Sequence, residues 1–416
     1  MAYRPRLVDT ELRALLTAAG AVLIEGPKGC GKTAAARQAA RSEVLLDVDV
    51  AAQAAGEIDP GLLLPGATPR LLDEWQLVPT LWNQVRRAVD DRGATGQFIL
   101  TGSAVPADDI TRHTGAGRMA RLRMRPLSLF EHGHSSGAVP LASLLAGDSP
   151  ASTDPGHAVR DLAEFVCVGG WPLNLTRGTA AALRAVRSYL DDIVRTDIHR
   201  VDGVTRDPLR VARVLRAYAR HVATEASDST IAADVHGDDP SVHRDTLAAY
   251  LGALERLMVI EEQPAWAPHL RSRARIRSAS KRHFVDPSLA VAALRASPES
   301  VLKDITLLGT LFESLVVRDL RVYAQPLDAH VLHYRDNTGL EVDAVIECAD
   351  GRWAACEIKL GLKAVDGAAA SLRRFAKKVD TERAGAPVFL AVITGTGYAY
   401  RRPDGVFVIP IGALGP

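Results

Sequence analysis

Cysteine, aromatic side chains, net charge and long apolar runs are all scarce in this 416-residue chain, and each scarcity excludes something. The four cysteines, Cys30, Cys167, Cys348 and Cys356, form no C-x-x-C pair, which argues against a structural zinc site and a disulfide framework. Aromatics make up 5% of the residues, too few to suggest a platform on which the bases of a single strand would stack. A formal net charge of +1 gives no global attraction to nucleic acid, so any such affinity must come from local patches. No run of 18 or more apolar residues occurs, so no membrane span is expected. The opening Met1-Ala2-Tyr3-Arg4-Pro5-Arg6 has no apolar signal-peptide core behind it, and a reducing cytoplasm is the expected setting. The chain is too long for one ordinary core, so two or three domains are expected.

What is present is sharper. Gly26-Pro27-Lys28-Gly29-Cys30-Gly31-Lys32-Thr33 fits the spacing G-x-x-x-x-G-K-[ST] without a mismatch. Residues 21–25 before it read as a short buried strand, and residues 34–40 after it are strong helix formers. A strand, a glycine-rich turn and a helix N-terminus make a polyphosphate cradle, because backbone N–H groups and the helix dipole converge there. Lys32 would reach the β- and γ-phosphates and the Thr33 hydroxyl would hold Mg²⁺. Forty residues on, Arg70-Leu71-Leu72-Asp73-Glu74 is an apolar strand end carrying two acids. Asp73 suits a water-mediated Mg²⁺ contact and Glu74 suits deprotonating the attacking water. A strand at 97–100 then runs into Thr101-Gly102-Ser103, where Ser103 is a candidate sensor of the γ-phosphate, with a plain turn the competing reading. A strand at 43–47 and a helix at about 81–91 complete an alternation that implies a parallel sheet with helices on both faces. Ligands of such sheets bind at the carboxyl ends of the strands. Arg112, Arg118 and Arg121 follow around a glycine-rich stretch. Arg118 is the candidate arginine finger, for its own site or a neighbour's in a homo-oligomer, against the alternative of a solvated surface arginine.

Residues 133–157 are rich in Gly, Ser, Pro and Ala and read as a linker between a first domain at 1–132 and a second at 158–298. Helical patterns follow at 159–168, 179–197, 209–224, 230–235 and 242–257, then a strand at 259–263. Three helices followed by a hairpin is the plan of a winged helix. Its wing would carry Arg271, Arg273, Arg275 and Arg277, running on to Lys281-Arg282-His283. If extended, that piece projects the four arginines from one face toward a DNA backbone; a solvated loop is the alternative.

The remaining residues, 299–416, contain a helix at 304–322 with Glu313, then strands at 329–335, 341–348 and 353–360, a helix at 366–379, and strands at 387–394 and 406–410. Asp343 and, fourteen residues on, Glu357-Ile358-Lys359 match the D…E-x-K pattern in which two carboxylates hold Mg²⁺ and the lysine supports the attacking water. Glu313 is a third candidate ligand. Ala349-Asp350-Gly351 suits a three-residue hairpin loop, which puts Cys348 opposite Arg352, Asp343 opposite Glu357 and Glu341 opposite Lys359. An ordinary sheet with cross-strand Glu–Lys pairs is the competing reading.

At this point the chain resembles the bacterial and archaeal AAA-like P-loop ATPases that carry a C-terminal PD-(D/E)XK nuclease-like domain. The resemblance rests on Tyr3-Arg4-Pro5-Arg6, the phosphate loop, Leu72-Asp73-Glu74-Trp75-Gln76, Leu100-Thr101-Gly102-Ser103 and Gly117-Arg118. It continues through Gly169-Gly170-Trp171-Pro172, Tyr189 with Asp197, Phe284-Val285-Asp286, Leu311-Phe312-Glu313, and Tyr334-Arg335 to Asp343. Lys28 stands where the family often has arginine. The resemblance implies an α/β chain of three parts: a P-loop NTPase, a helical and winged-helix middle, and a restriction-endonuclease-like end. It implies ATP at Lys32 and Thr33 with Asp73 and Glu74 as the acids, and metal at Asp343 and Glu357. Two functions compete: ATP-dependent DNA processing, and a nucleotide-state switch whose nuclease-like end only recognises nucleic acid or protein.

Overall fold

The computed structural model describes residues 3–102, 115–201, 203–236, 244–268 and 279–416. Ser103, Arg112 and the arginines at 271, 273, 275 and 277 lie outside them. No helix among the described residues is long and apolar enough to cross a membrane. The chain divides into two units, the first comprising Met1–Pro126 with Thr196–Thr205 and Ala253–Met258, the second the rest.

The first unit is built on a five-stranded sheet of β1 (Ala21–Glu25), β2 (Ser42–Leu45), β3 (Arg70–Asp73), β4 (Phe98–Gly102) and β5 (Met119–Arg123). The strand order is β2-β3-β4-β1-β5 and every pairing is parallel. The β1 sequence is apolar at successive positions because both faces are covered. Ala21 and Leu23 enter one core, with Trp75, Trp82, Val85 and Phe98. Val22 and Ile24 enter the other, with Leu12, Ala35, Leu71 and Ile99. The helices are α1 (Val8–Ala18), α2 (Lys32–Ala36), α3 (Val50–Ile58) and α4 (Leu81–Arg92). Because β1, β3 and β4 run parallel, the phosphate loop, Asp73 and Thr101 all fall at one edge of the sheet.

The second unit begins with α5 (Leu129–His132), β6 (Val139–Pro140), α6 (Leu141–Ala146), α7 (Val159–Val168) and α8 (Thr179–Asp192). The stretch 133–157, expected as a linker, is packed over its first part, 135–145. β6 pairs with β13 (Leu414–Gly415), Ser135 Oγ donates to the Leu414 carbonyl at 2.6 Å, and Leu141, Leu144 and Leu145 are buried. The helical spacing of those leucines outweighs the flanking Gly and Ser.

Next come α9 (Pro208–Arg220), α10 (Asp228–His236) and α11 (Arg244–Arg256), then α12 (Pro287–Ala293), α13 (Pro298–Lys303) and the long α14 (Ile305–Ala324). Residues 259–263, expected as a strand, form isolated antiparallel bridges with the segment before α12, Ile260 to Phe284 and Gln263 to Lys281. Ala265 then bridges to His333 of β7 (Ala329–Arg335).

The main sheet of this unit also holds β8 (Glu341–Cys348), β9 (Trp353–Lys359), β10 (Leu390–Thr394), β11 (Tyr400–Arg401) and β12 (Phe407–Pro410), in the order β11-β12-β10-β9-β8-β7. The β8–β9 hairpin pairs Ala344 with Cys356 and Glu347 with Trp353. Its loop closes through Cys348 N–H to the Arg352 carbonyl at 2.8 Å, with Gly351 in the left-handed region at φ 87°. Val345, Trp353 and Ala355 are buried beneath α15 (Val365–Lys378) with Ala369, Leu372 and Phe375, and α14 packs on the same sheet.

Arg318 of α14 is buried between Asp286 and Asp319. It donates to Asp286 Oδ2 at 2.8 Å and to Asp319 Oδ1 at 2.9 and 2.7 Å. Asp286 also accepts from Gly170 N–H at 2.9 Å and Ser288 N–H at 3.0 Å, and Asp319 accepts from Leu129 N–H at 2.9 Å. Removing one member of such a buried set strands the opposite charges. Arg318→Met should therefore cost about 3–5 kcal/mol in denaturant unfolding. Arg383→Ala, which removes an exposed pair with Asp380, should stay within about 0.5 kcal/mol; equal losses in the two variants would show that the buried set is not special.

Candidate functional site

The phosphate loop leaves β1 at Gly26 and enters α2 through Gly31, whose φ of 102° is a left-handed conformation that favours glycine. At Gly26 a Cβ would stand 2.2 Å from the Met124 carbonyl oxygen, so the loop lies close to the chain that follows β5. Lys32 is 5% exposed, and its ammonium donates to the Gly26 and Pro27 carbonyls at 2.9 and 3.0 Å. No carboxylate among the described residues pairs with it, so a buried cation lies in the loop with its charge uncompensated. A polyphosphate fits that site.

Thr33 Oγ1 donates to both Asp73 oxygens, at 2.9 and 3.1 Å, and Thr101 Oγ1 donates to the same carboxylate. Burial pushes the Asp73 carboxyl up, against those two hydroxyl hydrogen bonds. A hydroxyl beside a buried carboxylate is an all-oxygen donor set that fits Mg²⁺. Glu74 follows with φ 53°, which turns the chain sharply out of β3, and its carboxylate accepts from the Gln76 amide. Thr101, of the Thr101-Gly102-Ser103 strand end, is buried against Asp73.

Arg118 does not join this group in its own subunit. β5 runs parallel to β1 with Met119 opposite Ala21, so Arg118 lies at the amino edge of the sheet, a strand's length from the loop. There its Nε lies 2.7 Å from Asp90 Oδ1 on α4. Arg121 pairs with Glu25.

Two residues without an assigned role do reach the loop. Arg6 is buried and donates to the Cys30 carbonyl at 3.0 Å and the Arg125 carbonyl at 2.9 Å. Asp9 orients it, accepting from Arg6 N–H at 2.8 Å and from Tyr3 Oη at 2.6 Å. Asp197, far along the sequence, lies 3.5 Å from the Lys28 ammonium. The Tyr3-to-Arg6 run was a signal for the first, and Asp197 stood among the residues of the resemblance without a role at the loop.

In the second unit, Asp343, Glu357, Lys359 and Glu313 do come together, with an unforeseen member. Asp343 Oδ2 accepts from Lys359 Nζ and from Ile358 N–H, both at 2.8 Å, and Lys359 Nζ also lies 2.6 Å from Glu357 Oε2. Lys281 is buried against the other side, 2.7 Å from Glu313 Oε1 and 3.3 Å from Asp343 Oδ1. The basic run Lys281-Arg282-His283 was expected to continue the wing; all three side chains are buried. Arg282 pairs with Asp228 at 2.7 Å and with Glu262. His283 lies 3.1 Å from both Ser314 Oγ and Gln263 Oε1.

Burial alone would raise the Asp343 carboxyl, but the flanking lysines hold it down at about 2. Burial and the Asp343 charge push Glu313 and Glu357 up to about 8. The carboxylates thus already have ammonium partners and do not fit a divalent ion as they stand. Among the described residues no group of three His, Cys, Asp or Glu side chains is arranged to hold a metal.

A parallel sheet ending in this loop, with Asp73 and Thr101 on the adjacent strands, gives the first unit the arrangement of a P-loop nucleotide-binding domain, and residues 18–132 match the family described as an AAA domain. Residues 159–300 and 308–414 match two domains of unknown function, DUF8612 and DUF4143. Over 364 residues the chain is 24% identical to the uncharacterised proteins Rv2008c of Mycobacterium tuberculosis and Mb2031c of Mycobacterium bovis, covering 86% of this chain and 74% of theirs. Among solved structures it is similar to the Walker-type ATPase PABY2304 of Pyrococcus abyssi, with 14% identity, a TM-score of 0.43 and coverage of 68% of this chain and 94% of that one. For the ORC2 protein of Aeropyrum pernix, solved in ADPNP–ADP complexes, the values are 13%, 0.32, 72% and 93%.

The carboxylate cluster makes stability depend on pH. Between about pH 6.5 and 8 the folded chain keeps protons on Glu313 and Glu357 that unfolded glutamates, with pKa near 4.3, have already released. Stability therefore falls as pH rises through that window. Glu357→Gln removes one of the two contributions, so its urea midpoints at pH 6.5 and 8 should lie closer together than those of wild type. An unchanged gap would mean that Glu357 is ionised throughout.

Proposed function

We propose that the chain is a Mg²⁺-dependent ATPase acting as a nucleotide-state switch, with a nuclease-like C-terminal domain that recognises nucleic acid without cutting it. The ATPase half rests on the buried Lys32 ammonium, which lacks a carboxylate partner among the described residues and lies one residue before the Thr33–Asp73 pair. Lys32 would hold the β- and γ-phosphates, while Thr33 and, through water, Asp73 would hold the metal. Bound Mg-ATP supplies the phosphoryl group to be transferred. Glu74 takes the proton of the attacking water, once its carboxylate leaves Gln76. Arg118, at the opposite edge of its own sheet, is available only to a neighbouring subunit.

The switch reading is preferred to ATP-dependent DNA cleavage because the ammonium groups of Lys281 and Lys359 already engage the carboxylates that a cutting site would present to metal. The nucleic-acid partner is read from Arg271, Arg273, Arg275 and Arg277, whose charges would track a backbone without reading sequence.

Lys32→Ala should abolish ATP binding in a fluorescent-nucleotide titration. Glu74→Gln should keep that binding and lose about 10²–10⁴-fold in turnover; wild-type turnover in Glu74→Gln would move the base elsewhere. Replacing all four arginines by alanine should weaken duplex binding and reduce the slope of log affinity against log salt by about 3–4. Wild type should leave supercoiled plasmid uncut in Mg²⁺ or Mn²⁺. Nicking that disappears in Asp343→Ala would instead establish the DNA-processing reading.

A further inference from the structure

Lys281 belongs to the limb that returns from the arginine-bearing segment, and nothing in the D…E-x-K pattern calls for it. Its side chain is 1% exposed. Its ammonium faces three carboxylates, Glu313 at 2.7 Å, Asp343 at 3.3 Å and Glu341 at 3.4 Å. A single cation meeting carboxylates from both α14 and β8 performs the electrostatic task of a metal ion.

The backbone fixes it there. Lys281 and Gln263 exchange two N–H to carbonyl hydrogen bonds of 2.9 Å. The Gln263 side chain in turn donates to the carbonyls of Leu332 and Asp343, at 2.9 and 3.0 Å. His333 accepts the next segment, through Trp266 N–H to its carbonyl at 2.6 Å. The two lysines of the cluster differ in access. Lys359 is 31% exposed and can turn outward on its flexible stem, whereas Lys281 is enclosed at 1% exposure.

Charge decides the same way. Asp343 has both oxygens engaged, one by Lys281 and the other by Lys359 and Ile358 N–H. A divalent ion added beside a retained Lys281 would meet a buried like charge, so the two cations exclude one another.

We propose that Lys281 is a resident cation occupying the position that a divalent ion would take between Glu313 and Asp343, and that it anchors the hairpin limb to the C-terminal sheet in place of a metal. The cluster is then a metal-independent structural centre. The inference deepens the non-cutting half of the proposed function and does not depend on the ATPase half.

Mn²⁺ binding tests it, followed by electron paramagnetic resonance on the full chain without nucleotide, so that failure is distinguishable from any failure of ATP turnover. Wild type should show no Mn²⁺ site that is sensitive to Asp343→Asn. Lys281→Met, which keeps most of the side-chain volume, and Lys281→Ala should each gain one Mn²⁺ site at least tenfold tighter than any wild-type binding, lost again on adding Glu313→Gln. An Asp343-dependent Mn²⁺ site in wild type overturns the proposal, as does a folded Lys281→Met chain that gains none. If neither Lys281 variant folds by circular dichroism, the comparison of wild type with Asp343→Asn decides alone.

Discussion

Arg318 carries its charge into the interior of the second unit, where Asp286 and Asp319 meet it on two sides and leave it 3% exposed. Each of those acids also fixes main chain from elsewhere. Asp286 holds Gly170 and starts α12 through Ser288, while Asp319 holds Leu129 at the start of α5. Trp171 is drawn into the same arrangement through Ser288 Oγ at 2.9 Å. Motifs dispersed along the sequence, Gly169-Gly170-Trp171 and Phe284-Val285-Asp286, are thus parts of one polar centre. Such a set is specific because a buried charge without its partners is costly, and few alternative packings supply both acids.

Two buried ammonium groups show how the same chemistry is put to opposite uses. Lys32 lies among carbonyl oxygens that carry only partial charge, so it still favours an anion. Lys281 lies among carboxyl groups of which Asp343 is held in its charged form, so its attraction is already satisfied within the chain. The first arrangement is suited to binding and releasing a ligand; the second is suited to permanence. Identity of the residue gave no hint of this difference, which follows from whether carbonyls or carboxylates surround it.

The features legible in the sequence are those whose partners lie close along the chain or are fixed by backbone periodicity. The phosphate loop is contiguous, the apolar residues at 21–24 and 71–72 suit strands covered on both faces, and the three-residue turn at 349–351 sets the β8–β9 pairing. The edge strand β5 was missed because only Leu122 of Met119–Arg123 is deeply buried, leaving no clear alternation. That omission also hid the location of Arg118, which depends on β5 lying parallel to β1. Lys281 escaped for a related reason. Its carboxylate partners lie 32 and 62 residues away, and beside Arg282 and the arginine row it looks like one more solvated charge. Packing of 135–145 was hidden similarly, since β13, the strand it pairs with, lies at the far end of the chain.

Residues Thr196–Thr205 belong to the first unit although they are separated from it by a long stretch of the second. They bring Asp197 to Lys28, the residue at which the exposed part of the phosphate loop begins. The nucleotide domain is therefore not a contiguous cassette. A recombination event joining residues 1–132 to a new partner would carry the loop but leave behind a side chain beside it.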